Sequence, residues 1–282
     1  MPWISFAQNA EDVRIARALA NRTEGFYIDV GANHPVDLSV TKHFYDNGWT
    51  GINVEPLPRM FAQIARDRQR DINLNIGCSN RHGSLTLYAG RGHASGLSTL
   101  TAEEVAHHEK NGFEFERVTI PVTTLADICA EHTKERTIDF MSIDVEGHER
   151  EVLEGADFDR FRPRIVLVEA TRPTTTEPTH GRWEHLIVDH RYLFAAFDGL
   201  NRYYVRCEDE RLVPIIALAP NVFDDFVPHV YQRQIDALSA EVEAYRAASV
   251  VTRSLGAVVH RVEMLKRWMV TRRRTRAKAA DG

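Results

Sequence analysis

The chain has 282 residues, 43% of them hydrophobic, enough to bury the core of one domain and still carry an appendage. Cys78, Cys129 and Cys207 are odd in number and widely spaced, which excludes a disulfide framework and metal-type cysteine pairs and makes a reducing cytoplasm the default. The net charge of −5 is uneven: residues 229–282 carry 11 Arg and Lys against five Asp and Glu, a net of +6, leaving −11 on residues 1–228. An acidic body is a poor partner for nucleic acid, whose phosphates demand Lys and Arg.

The start, MPWISFAQNAED, lacks the basic and apolar regions of a signal peptide, and no run of 18 apolar residues is present. In chain order, apolar and β-branched runs predict strands at about 26–30, 51–55, 72–76, 84–88, 118–122, 138–143, 164–169, 193–198 and 202–206. Helical patterns fall near 9–21, 39–48, 57–68, 101–110, 124–132, 148–154 and 181–190. This alternation predicts an α/β fold, a mostly parallel sheet covered by helices on both faces. LFAAFD and RYYVR, joined around Gly199, predict an antiparallel C-terminal hairpin at the sheet edge. After the irregular segment 219–229, Ile235, Leu238, Val242, Tyr245, Leu255, Val258, Val262, Leu265 and Met269 recur at helical spacing, predicting a long-helix extension. The expected division is a domain over 1–228 and a helical extension with a basic tail over 229–282.

The stretch FYIDVGANHPVDLSVTKHFYDNGWTGINVEP (26–56) runs strand, turn, helix, strand, acid. In an open parallel sheet a ligand lies beyond the carboxyl ends of the strands, where strand order reverses. The first strand delivers Asp29 and Gly31 to that edge, and the second ends on Glu55, a carboxylate suited to ribose hydroxyls. The dinucleotide pattern G-x-G-x-x-G is missing, since 31–36 read G-A-N-H-P-V, and Pro35 removes an N–H donor that a pyrophosphate would need. This argues against a nucleotide-dependent oxidoreductase. A nucleoside without phosphates, such as S-adenosylmethionine, has no such requirement.

DVGAN (29–33) followed by GINVEP (51–56), and IDFMSIDVEGHEREVLEGADF (138–158), resemble the FkbM-type family of S-adenosylmethionine-dependent methyltransferases. SFAQNAED (5–12), DINLNIGCSNRHGSLTLY (71–88), GLSTL (96–100), VTTLADI (122–128) and RPRIVLVEA (162–170) follow in the family's order, so the resemblance covers about residues 3–228. Two positions depart from the family pattern: Ser142 stands where a Lys is usual, and His148 where a small residue is. The resemblance implies a Rossmann-like fold and O-methylation of a sugar, glycan or polyketide hydroxyl, with polysaccharide biosynthesis as the narrower expectation. It also implies a cofactor set of Asp29, Gly31, Ala32, Asn33 and Glu55, with Cys78 and Ser79 near adenine and Gln8 of the leader near the methionine end.

Transfer to an alcohol needs in-line geometry and a base or metal for the hydroxyl proton. Asp144 and Glu146 follow one strand end and Glu169 closes the next, so Asp144 and Glu169 are candidate ligands for Mg²⁺. His148, directly after the first of these, and His180, on the loop TRPTTTEPTHG, are candidate bases. The stripe through Ile235, Leu238, Val242 and Tyr245 predicts a homo-oligomer through paired helices. Arg261 to Lys278 holds eight basic residues against Glu263 alone, which suits an anionic membrane surface beside a cytoplasmic enzyme.

Overall fold

A computed structural model describes residues 3–20, 22–91, 96–247 and 259–266 of the protein. In chain order the elements are β1 (Trp3–Ser5), α1 (Glu11–Ala18), β2 (Phe26–Val30), α2 (Lys42–Asp46), β3 (Thr50–Val54), α3 (Pro58–Asp67) and β4 (Ile72–Leu74). Next come β5 (Gly77–Ser79), β6 (Gly83–Gly90), α4 (Ala102–Lys110), β7 (Phe115–Thr124), α5 (Leu125–His132), β8 (Phe140–Ile143) and α6 (Glu149–Glu154). The last are β9 (Ile165–Glu169), α7 (His185–Val188), β10 (Tyr192–Phe197), β11 (Asn201–Arg206), α8 (Val213–Ala217), β12 (Phe226–Pro228) and α9 (His229–Ala247). The chain divides into a unit over Ser5–Phe226 and a second that gathers the described residues of 1–4 and 227–282.

In the larger unit a seven-stranded sheet has the order β10-β11-β9-β8-β2-β3-β4. β2, β3, β4, β8 and β9 pair in parallel, while β11 runs antiparallel to both β9 and β10. Strand order reverses beside β2: the chain moves outward to β3 and β4, then returns to lay β8 and β9 on the other side. Alternation along the strands builds two cores. Ile28, Val30, Ile52, Val54, Met141, Ile143, Val166 and Val168 face Leu125, Ile128, Val152 and Leu153 of α5 and α6. Tyr27, Phe140, Ile165, Leu167, Tyr203 and Val205 face Ile15, Phe44, Leu212 and Ile216 on the opposite side. Both sheet faces are thus dry, which is why the central strands read as near-continuous apolar runs.

The runs at 84–88 and 118–122 do not join this sheet. They form β6 and β7, antiparallel over Gly83–Gly90 and Phe115–Val122, in a separate three-stranded sheet of order β5-β7-β6. Leu87, Ala89, Ile120 and Val122 turn inward to their own small core with Leu57 and Met60.

The second unit pairs β1 with β12 and continues into α9. Residues 259–266 are helical, and Val242 and Val262, 4% and 8% exposed, are the buried apolar positions of these two helices. Both helices line a shared hollow of about 250 Å³ between Val242, Val259 and Val262. The stripe is therefore not buried along its length: Leu238 and Tyr245 stay 39% and 51% exposed. Leu255, Val258, Met269 and most of the basic tail lie outside the described residues.

Candidate functional site

The parallel register brings four strand ends level. Val30 pairs with Val54 and with Ile143, and Ile143 with Val168, so Gly31, Glu55, Asp144 and Glu169 close their strands at one edge. A cleft of about 660 Å³, open to solvent, lies there at the reversal point between β2 and β8. Its floor is Gly31, Glu55, Asp144 and Glu146, and its apolar wall includes Leu57, Cys78, Leu87 and Leu100. Position and size are those of a small-ligand site in an open α/β sheet.

Glu55 is held in place by its own neighbours. Its two oxygens accept the Asn33 N–H at 2.8 Å and the Leu57 N–H at 2.7 Å, and burial pushes the carboxyl up to about 7. Gly31 is dictated by protein rather than by ligand. Its φ of 87° suits glycine, and a Cβ there would sit 1.7 Å from the Asp144 carbonyl oxygen. The close approach that requires glycine is thus between the ends of β2 and β8.

The segment after β8 gathers carboxyls. Asp144 and Glu146 line the cleft, Glu149 lies buried behind them, and Glu169 shares a side-chain hydrogen bond with Asp144. Burial raises all four, and for Glu146 and Glu169 the neighbouring carboxylates push further in the same direction. Glu104 stands close enough to repel Glu146 and is itself bonded by Arg172 at 3.0 Å. A cation placed in the cleft would relieve this crowding of like charge.

Among the described residues, no group of three or more His, Cys, Asp or Glu is placed to hold a metal ion. Asp144 and Glu169 offer two hard oxygen donors, and Glu169 Oε2 is buried without a partner, but the pair is hydrogen-bonded to itself.

Several sequence-predicted residues lie elsewhere. Asp29 points to the face of Tyr27, where it accepts the Thr41 hydroxyl at 2.8 Å, and is not among the cleft-lining residues. Ala32 contributes its N–H to the Val54 carbonyl. Ser79 faces away from the cleft and meets His148 Nε2 at 3.1 Å. His148 is not among the cleft-lining residues: its Nε2 meets Ser79 and its Nδ1 lies 3.4 Å from Glu151, so the imidazole ties β5 to the start of α6. His180 begins a short 3₁₀ turn and does not line the cleft. Gln8 precedes α1, which starts at Glu11, and its side chain is exposed, so it is not on a helix folded over the cleft. Asp12 instead buckles the leader, accepting from Ser5, Phe6, Ala7 and Val13. Gly96, Ser98 and Leu100, from the GLSTL segment, also line the cleft, and nothing in that segment's residue types points to such a role.

A mostly parallel central sheet with one reversed strand, and a cleft lined by carboxyls at its reversal point, are consistent with a methyltransferase-type α/β fold. A family model, the methyltransferase FkbM domain, matches residues 29–194, and the chain belongs to that family. No curated protein matches the sequence.

Proposed function

We propose that the protein is an S-adenosylmethionine-dependent O-methyltransferase acting on a hydroxyl of a sugar or glycan, in the making of a surface polysaccharide. The observation that carries the cofactor reading is the pairing, in one cleft, of Glu55 with the Asp144–Glu146 carboxyls. Glu55 receives ribose hydroxyls, and Leu57, Cys78 and Leu87 supply an apolar wall for adenine. Asp144 and Glu146 face the cationic end. Bound S-adenosylmethionine supplies an electrophilic methyl group on a sulfonium, which is already a good leaving group. The chain then has to hold an acceptor oxygen in line and remove its proton. Asp144 is our candidate to take that proton, a reading supported by its position on the cleft floor and its hydrogen bond with Glu169. If the enzyme uses Mg²⁺, Asp144 and Glu169 would be the residues to hold it and the ion would make the acceptor hydroxyl easier to deprotonate; turnover lost to EDTA and restored by Mg²⁺ would assign it. Calorimetry with S-adenosylhomocysteine and with NAD tests the cofactor, with binding of the first alone expected. Mass spectrometry of surface glycans with and without the gene tests the acceptor, with loss of one methyl group expected.

The exposed Leu238, Tyr245, Met264 and Leu265 of the second unit support self-association through its helices. The eight basic residues from Arg261 to Lys278 support contact with anionic lipid, at about 1 kcal/mol per basic residue near the surface. Either would act on an enzyme inside the cell, beside lipid-linked acceptors. Among the described residues no helix is long and apolar enough to cross a membrane.

A further inference from the structure

The turn that carries Glu146 to the cleft is held by groups that do not line it. Glu146, with φ 54°, and Gly147, with φ 93°, are consecutive left-handed residues. Few residues other than glycine adopt this conformation, and it persists where the surroundings over-determine it. Here the surroundings are specific. Glu149, buried at the first position of α6, accepts through one oxygen the N–H groups of Val145 at 3.2 Å and Gly147 at 3.0 Å, the residues on either side of Glu146. From the other side, the buried Thr99 hydroxyl donates to the Glu146 carbonyl at 2.6 Å, and Thr101 donates to the Gly147 carbonyl at 3.3 Å. The turn is clamped below by a carboxylate and above by two hydroxyls.

We propose that Glu149 is a positioning residue: by clamping Val145 and Gly147 it aims the Asp144 and Glu146 carboxyls at the cationic end of the cofactor, with Thr99 as the second clamp. The inference rests on the S-adenosylmethionine reading of the cleft. It needs no knowledge of the acceptor, because S-adenosylmethionine and S-adenosylhomocysteine differ by one methyl group and one positive charge. A group that acts by aiming carboxylates changes the ratio of the two affinities. A group that merely supports the fold changes both together.

The test uses the full-length protein, its Glu149→Gln, Glu149→Ala and Thr99→Val variants, calorimetry with both ligands, and hydrogen exchange at the Val145 and Gly147 amides without ligand. Glu149→Gln keeps an acceptor oxygen in place, so exchange and affinity ratio stay within about twofold of the parent. Glu149→Ala accelerates exchange at both amides and shifts the ratio against the cationic ligand about tenfold, the weight of one charge pair a few ångströms apart. Its affinity for S-adenosylhomocysteine moves less than about threefold. Thr99→Val, nearly isosteric, shifts the ratio in the same direction by less, which keeps the test open if Glu149→Ala does not fold. Unaltered exchange in Glu149→Ala overturns the clamp. Accelerated exchange with an unchanged ratio, or equal loss of both ligands, overturns the positioning role. If the parent protein binds neither ligand, the cofactor reading itself falls, and the first titration shows it.

Discussion

Glu55 accepts one backbone N–H on each oxygen, and a carboxylate has about four lone-pair sites, so it can still accept two ribose hydroxyls. Hydrogen bonds from those hydroxyls favour the charged form, whereas burial holds the free carboxyl up at about 7. Affinity for S-adenosylhomocysteine should therefore fall as pH drops through 7 and level off above it. Glu55→Gln should bind at least about tenfold more weakly at pH 8, since each charge-assisted bond contributes about 1.5–3 kcal/mol, and should show no such pH dependence. Calorimetry between pH 6 and 8.5 checks both; equal affinity in the two proteins would remove Glu55 from the ribose. Asp144 and His148 make a contrasting pair. Asp144→Asn keeps shape without charge and should lower turnover more than cofactor affinity. His148→Ala should lower stability by about 1–2 kcal/mol through its lost hydrogen bond and leave the pH–rate profile in place. Loss of a limb of that profile in His148→Ala would return the imidazole to the chemistry.

At the scale of elements, the joint between β2 and β8 is the tightest part of the site. The Asp144 N–H donates to the Val30 carbonyl at 3.0 Å while the Asp144 carbonyl occupies the space of an absent Gly31 Cβ. Gly31→Ala should cost about 1–3 kcal/mol from backbone conformation alone, and the 1.7 Å contact adds to it by forcing the strand ends apart. Denaturant unfolding and ligand calorimetry should show stability and cofactor affinity falling together. The same joint explains what the sequence made legible. FYIDV, GINVE and RIVLVE are apolar enough to be buried on both faces, so a parallel sheet and the acids at its strand ends follow from pattern alone. The small sheet was not legible as separate. Leu85, Leu87 and Ala89 alternate as any half-exposed antiparallel strand would, and alternation does not say which sheet a strand joins. The placement of His148 and Ser79 was not legible from adjacency, because nearness to a strand end in sequence does not fix which way a side chain points. In β5, Cys78 faces the cleft and the next residue faces His148. The part of Glu149 was hidden for a related reason, since its partners are backbone amides of a turn that curls back only in three dimensions.

Over the whole molecule, buried carboxyls give the stability a definite dependence on pH. Burial pushes Glu11 up to about 8, Glu55 and Glu149 to about 7, and Asp12 and Asp29 to about 6, against about 4 for unfolded carboxyls. Between those limits the folded chain keeps protons that the unfolded chain has released, so their contribution is fully present below about pH 4 and is lost as pH rises through the folded values. Two histidines act in the opposite sense: His43, lowered to about 4, and His148 favour the folded state once neutral, which above pH 7 they are in both states. Asp209, held low by Arg164 and Arg206, changes only at more acidic pH. From pH 6.5 to 8.5, then, Glu11, Glu55 and Glu149 outweigh the two histidines, whose opposing effect fades above pH 7, and the melting temperature of the ligand-free protein should fall. Glu11 accepts the Asn9 N–H on one oxygen and the Asn201 side chain on the other, and a glutamine, with a single acceptor oxygen, can keep only one of these bonds. Glu11→Gln should therefore lower the melting temperature at every pH through the lost bond, and flatten its slope because the titrating carboxyl is gone. Saturating S-adenosylhomocysteine should act against the trend, because the proposed bonds from its ribose to Glu55 would favour the charged carboxylate, so the ligand-induced rise in melting temperature should grow with pH. Scanning calorimetry at pH 6.5, 7.5 and 8.5, with and without ligand, reads all three effects. A melting temperature that climbs across this range in the free protein would show that the buried carboxyls do not govern it, and a ligand effect independent of pH would separate Glu55 from the bound cofactor.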